Sequence, residues 1–402
     1  MPLPELLAPA GNMEKLETAL AFGADAVYLG IDRFSLRARS GCLEQAELPA
    51  ACDLVERHGR RLYLTLNAYL HPGEESEFRK LLLDLRPLPI DAYIIADPGA
   101  LTMVRELDPD RTLHLSTQAN VTSVHAALFW QAAGVKRLNL ARELSLDEVA
   151  AIRAQTGVEI ETFVHGALCV AYSGRCLMSA AMTGRSANRG ECAHPCRWNY
   201  AVQEETRPGE FFGIEEDSRG TYLFNSRDLR LIEHLPALIA AGVDSLKIEG
   251  RMKSRYYVAA VTRVYRAALD AYRADPAGWH CDPLWLKELD TVSHRPYDSG
   301  FLFGREEAGV HPADSRYRQS HLFVGVVGDD GGRDGWLVEG RNRFAVGEEL
   351  ELIGPGMRQA TFTLEQAWNE EGEYLPVVQP NARVRLQLPP EARAGDLLRK
   401  SR

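Results

Sequence analysis

Through the first 275 residues, short apolar runs alternate with amphipathic helical patterns, and that alternation leaves few folds open. Eight runs read as strands: Glu5–Ala8, Ala26–Gly30, Arg61–Asn67, Asp91–Asp97, Leu113–Gln118, Arg137–Arg142, Ile160–Gly166 and Ser245–Arg251. They are rich in Val, Ile, Leu and Tyr, as buried parallel strands must be. Between them, stretches such as Met13–Phe22, Leu48–His58, Ser76–Leu85, Thr122–Ala133, Leu146–Gln155 and Leu229–Ala241 carry the helical period. Several close on glycine (AFGAD, ERHGR, QAAGVK, AAGVD), which supplies the left-handed conformation that ends a helix. Eight βα units in this span predict an α/β fold, a (β/α)8 TIM-like barrel. An open doubly wound sheet is the alternative, but no GxGxxG follows the first strand.

Polar residues stand at the strand ends where such a barrel builds its site. They are Asn12, Asn67, Asp97, Gln118 with Asn120, Arg142 with Glu143, His165, and Glu249 with Arg251. One polar residue can simply mark the end of a strand. Recurrence on nearly every strand points to function. The seventh unit is oversized: after Gly166 nearly 80 residues pass before the eighth strand, against ~2–6 for a typical βα loop. The barrel domain is therefore expected over 1–312, with an insertion at 167–244. From about His321 short strands broken by Gly, Asp and Asn predict a small all-β barrel, assigned to 313–402.

The insertion carries Cys169, Cys176, Cys192 and Cys196, spaced C-x6-C-x15-C-x3-C. No apolar run approaches the ~20 residues that span a bilayer. No signal peptide is evident at the N-terminus, so the expected compartment is the cytoplasm, where thiols stay reduced. Four clustered thiols then suggest a metal site. A [4Fe–4S] cluster and a zinc ion both suit four thiolates. Zinc sites usually pair two tight knuckles, and only Cys192–Cys196 approximates one. The spacing leaves both open, beside the plain alternative of four unliganded thiols. Cys42, Cys52 and Cys281 stand apart, although Cys42 follows the second strand and could face the same mouth.

At net charge −10 the chain has no global pull on nucleic acid, so any RNA partner needs a local basic patch. Such patches exist. Arg175, Arg185, Arg189 and Arg197 face only Glu191 between Gly166 and Tyr200, and KIEGRMKSRYY adds Lys247, Arg251, Lys253 and Arg255. Guanidinium groups grip carboxylates and phosphates with two prongs. The expected ligand is a small dicarboxylate, an RNA backbone or both. There is no GxSxG and no HExxH. Cys169 near His165 could form a thiol–imidazole pair, but a cysteine in a set of four is better explained as a ligand.

At ETFVHGALCVAYSGRCLMS the chain resembles peptidase family U32, the collagenase-like proteins. ELLAPAGNMEKLETALAFGADAVYLG, LNLARELSLDE, GECAHPCRW, NSRDL and SLKIEGRMKS extend the likeness over nearly the whole chain. Within the family it most resembles the bacterial branch that modifies tRNA, and NRFAVGEELELIGP and ATFTLE in the C-terminal domain look like that branch too. The resemblance implies oxygen-independent formation of 5-hydroxyuridine at the tRNA wobble position. It implies prephenate, a dicarboxylate, as co-substrate and an iron–sulfur cluster as cofactor. Some relatives supply a cluster cysteine after Asp-Leu in NSRDL; here that residue is Arg230, so the fourth ligand would be Cys196.

The expectation is a [4Fe–4S] cluster on Cys169, Cys176, Cys192 and Cys196 at the barrel mouth. Arg142 and Arg251 would anchor the co-substrate, with Asn67, Gln118, Lys247 and Arg175 lining its site. His165, Glu161 and Glu249 are the candidates for proton transfer. Glu161 begins its strand and could point away from the mouth. Two other readings are a U32-type peptidase and a zinc-stapled RNA-binding protein without catalysis.

Overall fold

The computed structural model describes residues 3–35, 42–168, 172–173, 175–187, 191–193, 195, 215–217, 220–222, 227–304, 317–330, 332 and 335–402. By compactness the chain divides into two units. One comprises Met1–Leu20, Ala24–Met252 and Arg295–Tyr317; the other comprises Ala21–Gly23, Lys253–His294 and Arg318–Arg402.

In the first unit the elements run β1 (Glu5–Pro9), α1 (Met13–Ala21), β2 (Ala26–Gly30), α2 (Leu48–Arg57), β3 (Arg61–Leu66) and α3 (Glu75–Leu85). They continue with β4 (Ala92–Ile95), α4 (Pro98–Leu107), β5 (Thr112–Leu115), α5 (Val124–Ala132), β6 (Arg137–Asn139), α6 (Leu146–Gln155) and β7 (Glu159–Ala167). After α7 (Met178–Thr183) and the paired β8 (Glu215–Asp217) and β9 (Gly220–Tyr222) come β10 (Asp228–Arg230), α8 (Leu235–Ala240) and β11 (Ser245–Ile248). Strands β1 to β7 pair in sequence order, all parallel, and β11 pairs with both β1 and β7. Eight strands therefore close on themselves. That closure confirms the barrel and removes the open-sheet alternative.

Local chemistry sets the element boundaries. Ser145 and Glu148 form a reciprocal capping box at the start of α6. The four glycines expected to end helices, Gly23, Gly59, Gly134 and Gly242, all have positive φ. One stretch departs from its reading. Leu229–Ala241 was expected to be helical throughout, yet Asp228–Arg230 is a strand lying antiparallel on β7, and the helix begins only at Leu235. The backbone explains it: the Leu231 N–H donates to the Val164 carbonyl at 2.9 Å, and Pro236 suits a helix's first turn. Beyond β10, β12 (Tyr297–Asp298) adds a further parallel strand outside the closure.

The barrel interior is polar at its amino end. The buried carboxylate of Glu5 accepts from Arg137 Nη1 at 2.6 Å and Tyr63 Oη at 2.7 Å. Arg137 also bridges to Glu159 at 2.7 Å. Burial, reinforced by Arg137, Lys247 and Arg61, pushes the His114 imidazole well below its usual range.

The second unit holds α9 (Arg255–Ala274), α10 (Pro283–Leu289) and the C-terminal strands. These are β13 (His321–Asp330), β14 (Trp336–Gly340), β15 (Phe344–Ala345), β16 (Glu349–Ile353), β17 (Gln359–Thr363), β18 (Ala367–Trp368), β19 (Val377–Val378), β20 (Arg383–Leu386) and β21 (Leu397–Ser401). Seven form one antiparallel sheet, ordered β17-β16-β21-β13-β14-β20-β18, and β15 pairs with β19. Val324, Val338, Phe344, Leu352, Val384 and Leu398 pack together in a hydrophobic core. This is the all-β domain that the C-terminal sequence implies.

A buried ion cluster ties α9, α10 and the sheet together. Glu288 Oε1 receives Arg263 Nη2 at 2.6 Å and Arg399 Nη1 at 2.9 Å. Arg399 Nη2 reaches Glu351 at 2.7 Å. The hydrogen bond from His321, with the Arg399 charge beside it, holds the Glu351 carboxyl down at about 2. A carboxylate held low when folded and ordinary when unfolded adds stability at neutral pH, and that contribution disappears as pH falls from about 4.5 toward 2. Glu351→Gln should flatten the loss of stability over that acid window. Urea titrations at stepped pH would show an unchanged slope if the reading is wrong.

Candidate active site

The carboxyl ends of the barrel strands gather most of the polar residues expected there, and hydrogen bonds link several. Asn67 Nδ2 donates to Ser116 Oγ at 3.2 Å, and Ser116 Oγ contacts Gln118 Oε1 at 3.4 Å. Tyr69 Oη donates to the Gln118 carbonyl at 2.9 Å. Arg251, 4 % exposed, donates to Thr65 Oγ1 at 2.6 Å and to Ser35 Oγ at 3.0 Å. Gly30 makes this packing possible: a Cβ there would lie 2.5 Å from Arg251 Nη1 and 2.7 Å from Thr65 Oγ1. The Arg251 charge also reaches Cys42, whose thiol is nonetheless raised by burial. Lys15 Nζ donates to the Arg251 carbonyl at 3.2 Å, and burial lowers its ammonium.

The cysteine-bearing insertion is pinned to this mouth. Asn120, in a left-handed conformation at φ 53°, donates from Nδ2 to the Ser173 carbonyl at 2.7 Å. Arg142 Nη1 donates to Ser173 Oγ at 3.0 Å, while its guanidinium lies 3.8 Å from the Phe163 ring centroid. Ser173 sits three residues before Cys176. Arg175 is exposed, and its charge is felt at the Tyr69 hydroxyl. Cys176 and Cys192 are both half-buried. Cys169 and Cys196 lie outside the described residues, as do Arg189 and Arg197. Among the described residues alone, no three metal-ligating side chains converge.

The proton-transfer candidates separate. His165 is 1 % exposed at the end of β7, with Nε2 3.4 Å from Tyr297 Oη. Glu249 follows β11; its N–H donates to the His165 carbonyl at 2.8 Å, and its Oε2 is 3.4 Å from Tyr28 Oη. Burial, with Glu249 nearby, raises the Tyr28 phenol well above its usual range. Glu161 lies deeper, 2 % exposed in the barrel interior. Lys247 Nζ holds its Oε1 at 2.7 Å, and Arg137 Nη1 stands 3.6 Å from Oε2. The Lys247 ammonium also lies 4.4 Å from the Tyr28 ring centroid. Glu161 and Lys247 thus satisfy each other below the mouth.

Some strand-end side chains cap helices. Asn12 Oδ1 accepts the Lys15 N–H at 3.0 Å, and Asp97 Oδ1 accepts the Ala100 N–H at 2.9 Å, capping α4. Tyr297 reaches the site without any motif to mark it; a hydroxyl residue far from the barrel strands carries no spacing signal. No helix of the described residues is long and apolar enough to cross a membrane.

Known proteins are similar to this chain in sequence along its length. The sequence model for Peptidase family U32 fits residues 11–312, and that for the Peptidase family U32 C-terminal domain fits residues 319–399. The tRNA hydroxylation protein P1 of Bacillus subtilis is 36% identical over 406 aligned residues, covering 99% of this chain and 95% of that protein. The tRNA hydroxylation protein P of Escherichia coli is 38% identical, covering 93% and 91%. The Escherichia coli 23S rRNA 5-hydroxycytidine C2501 synthase is 42% identical over 66% of this chain but only 39% of its own length. With both domains matched in order, and relatives aligned nearly end to end, the chain belongs to peptidase family U32.

Proposed function

We propose that this protein is a tRNA-modifying enzyme that hydroxylates C5 of the wobble uridine, with a [4Fe–4S] cluster and prephenate as co-substrate. The observation carrying this reading is the end-to-end similarity, through both domains, to proteins named for tRNA hydroxylation. The match to a protein named as an rRNA 5-hydroxycytidine synthase supports hydroxylation of a pyrimidine in RNA.

Two of the thiols suit a cluster: Cys176 and Cys192 are half-buried, and Cys176 follows closely on the segment held at Ser173. With Cys169 and Cys196 they would supply four thiolates, and the cluster would contribute electron transfer or oxygen-ligand chemistry. The remaining steps belong to side chains. Arg142 and Arg251 supply fixed positive charge for a dicarboxylate, and the linked Asn67, Ser116 and Gln118 offer neutral donors and acceptors. His165 and Glu249 are the groups for proton movement at the mouth. Arg175, exposed beside Tyr69, would meet the RNA backbone.

Nucleosides from a strain lacking the gene should lose 5-hydroxyuridine and its derivatives by mass spectrometry, with restoration on re-expression. Anaerobically purified protein should carry about four iron and four sulfide per chain. A colourless protein with stoichiometric zinc would remove the cluster. The peptidase reading instead requires peptide cleavage that persists after the thiols are changed to serine.

A further inference from the structure

Two strands outside the barrel closure bring side chains onto His165. β10 lies antiparallel on the end of β7, placing Arg230 opposite His165, and β12 lies parallel on β10. Asp228 and Arg295, both buried, bridge at 2.8 Å and fasten the two added strands together. Tyr297 on β12 therefore reaches back to the barrel mouth. Its hydroxyl stands 3.4 Å from His165 Nε2, with ring centroids 5.2 Å apart and tilted by 51°. The Arg230 guanidinium covers the Tyr297 ring at 4.9 Å from its centroid.

We propose that Tyr297 is a positioning residue for His165: its hydroxyl donates to Nε2 and so fixes the imidazole proton on Nδ1. The tautomer of a histidine is set by the hydrogen bond at its other nitrogen. A phenol hydroxyl can donate or accept, and the cation decides between these. Arg230 over the ring face draws electron density from the phenol, making its hydroxyl a better donor and a poorer acceptor. The Asp228–Arg295 bridge fixes the register that aligns the rings. The assignment explains why a barrel already closed by eight strands carries two more at this edge. Its catalytic meaning rests on the hydroxylation reading; the hydrogen bond itself does not.

The test compares the full-length protein with Tyr297→Phe, which removes one oxygen, after histidine-selective 15N labelling. In the unmodified protein the His165 nitrogens should show Nδ1 protonated, and in Tyr297→Phe that pattern should shift toward protonated Nε2. kcat for tRNA hydroxylation should fall at least about tenfold with KM for tRNA nearly unchanged. The thermal midpoint should stay constant. Arg230→Gln keeps the hydroxyl but removes the cation, and should shift the nitrogens part of the way. Unchanged His165 nitrogens in Tyr297→Phe would overturn the proposal, as would an unchanged kcat. Absence of hydroxylation by the unmodified protein would instead reject the reaction, with the nitrogen signals still deciding the contact.

Discussion

Replacing Glu288 with alanine should destabilise the C-terminal unit by about 3–5 kcal/mol, the cost of leaving buried charge without its partner. Two guanidinium groups depend on this carboxylate. Arg263 is fully buried and Arg399 is 2 % exposed, so neither can turn to water when it is lost. Arg399 would keep Glu351, and Arg263 would keep only the Gly354 and Arg358 carbonyls and Gln359. The thermal transition of this unit should drop on the order of 10 °C. Calorimetry would refute the argument with a midpoint within a degree or two of the parent.

Lys247→Met should cost about 3 kcal/mol, because it takes the 2.7 Å partner from the buried Glu161 carboxylate and leaves it the Arg137 guanidinium at 3.6 Å. The companion variant decides the cause. Glu161→Leu combined with Lys247→Met replaces the buried pair by apolar groups of similar length and should recover most of the loss. Hydroxylation should return with stability if the pair only fills the barrel. If the double variant folds well but hydroxylates no tRNA, one of the two touches substrate after all. Denaturant unfolding and nucleoside analysis on the same preparations give both answers.

The barrel was legible because its strands are buried on both faces, so sequence had to spell each as an apolar run. All eight were found within a few residues. The Asp228–Arg230 strand was not, because its register depends on the free end of β7, a partner more than sixty residues earlier. The mouth was legible as a list and not as a map. Asn12 and Asp97 share the strand-end position of Asn67 and Gln118, yet spend their side chains capping helices. Glu161 reads as a proton-transfer group and Lys247 as part of a basic ligand patch, and only the register across β7 and β11 turns them toward each other. Tyr297 had no chance of being noticed, since its role exists only once two remote strands dock.

The length of β7 carries a practical consequence. It spans nine residues where its barrel neighbours β6 and β11 span three and four, and its overhang is where β10 docks. The Leu231 amide, held by Val164, belongs to that attachment and not to the closed ring. Its hydrogen-exchange rate is therefore a private gauge of whether the cysteine-bearing excursion is seated. Amides of the buried strand β3, such as that of Leu64, would exchange only when the whole domain opens. Loading the protein with iron and sulfide, or with tRNA, could then be followed at one backbone amide.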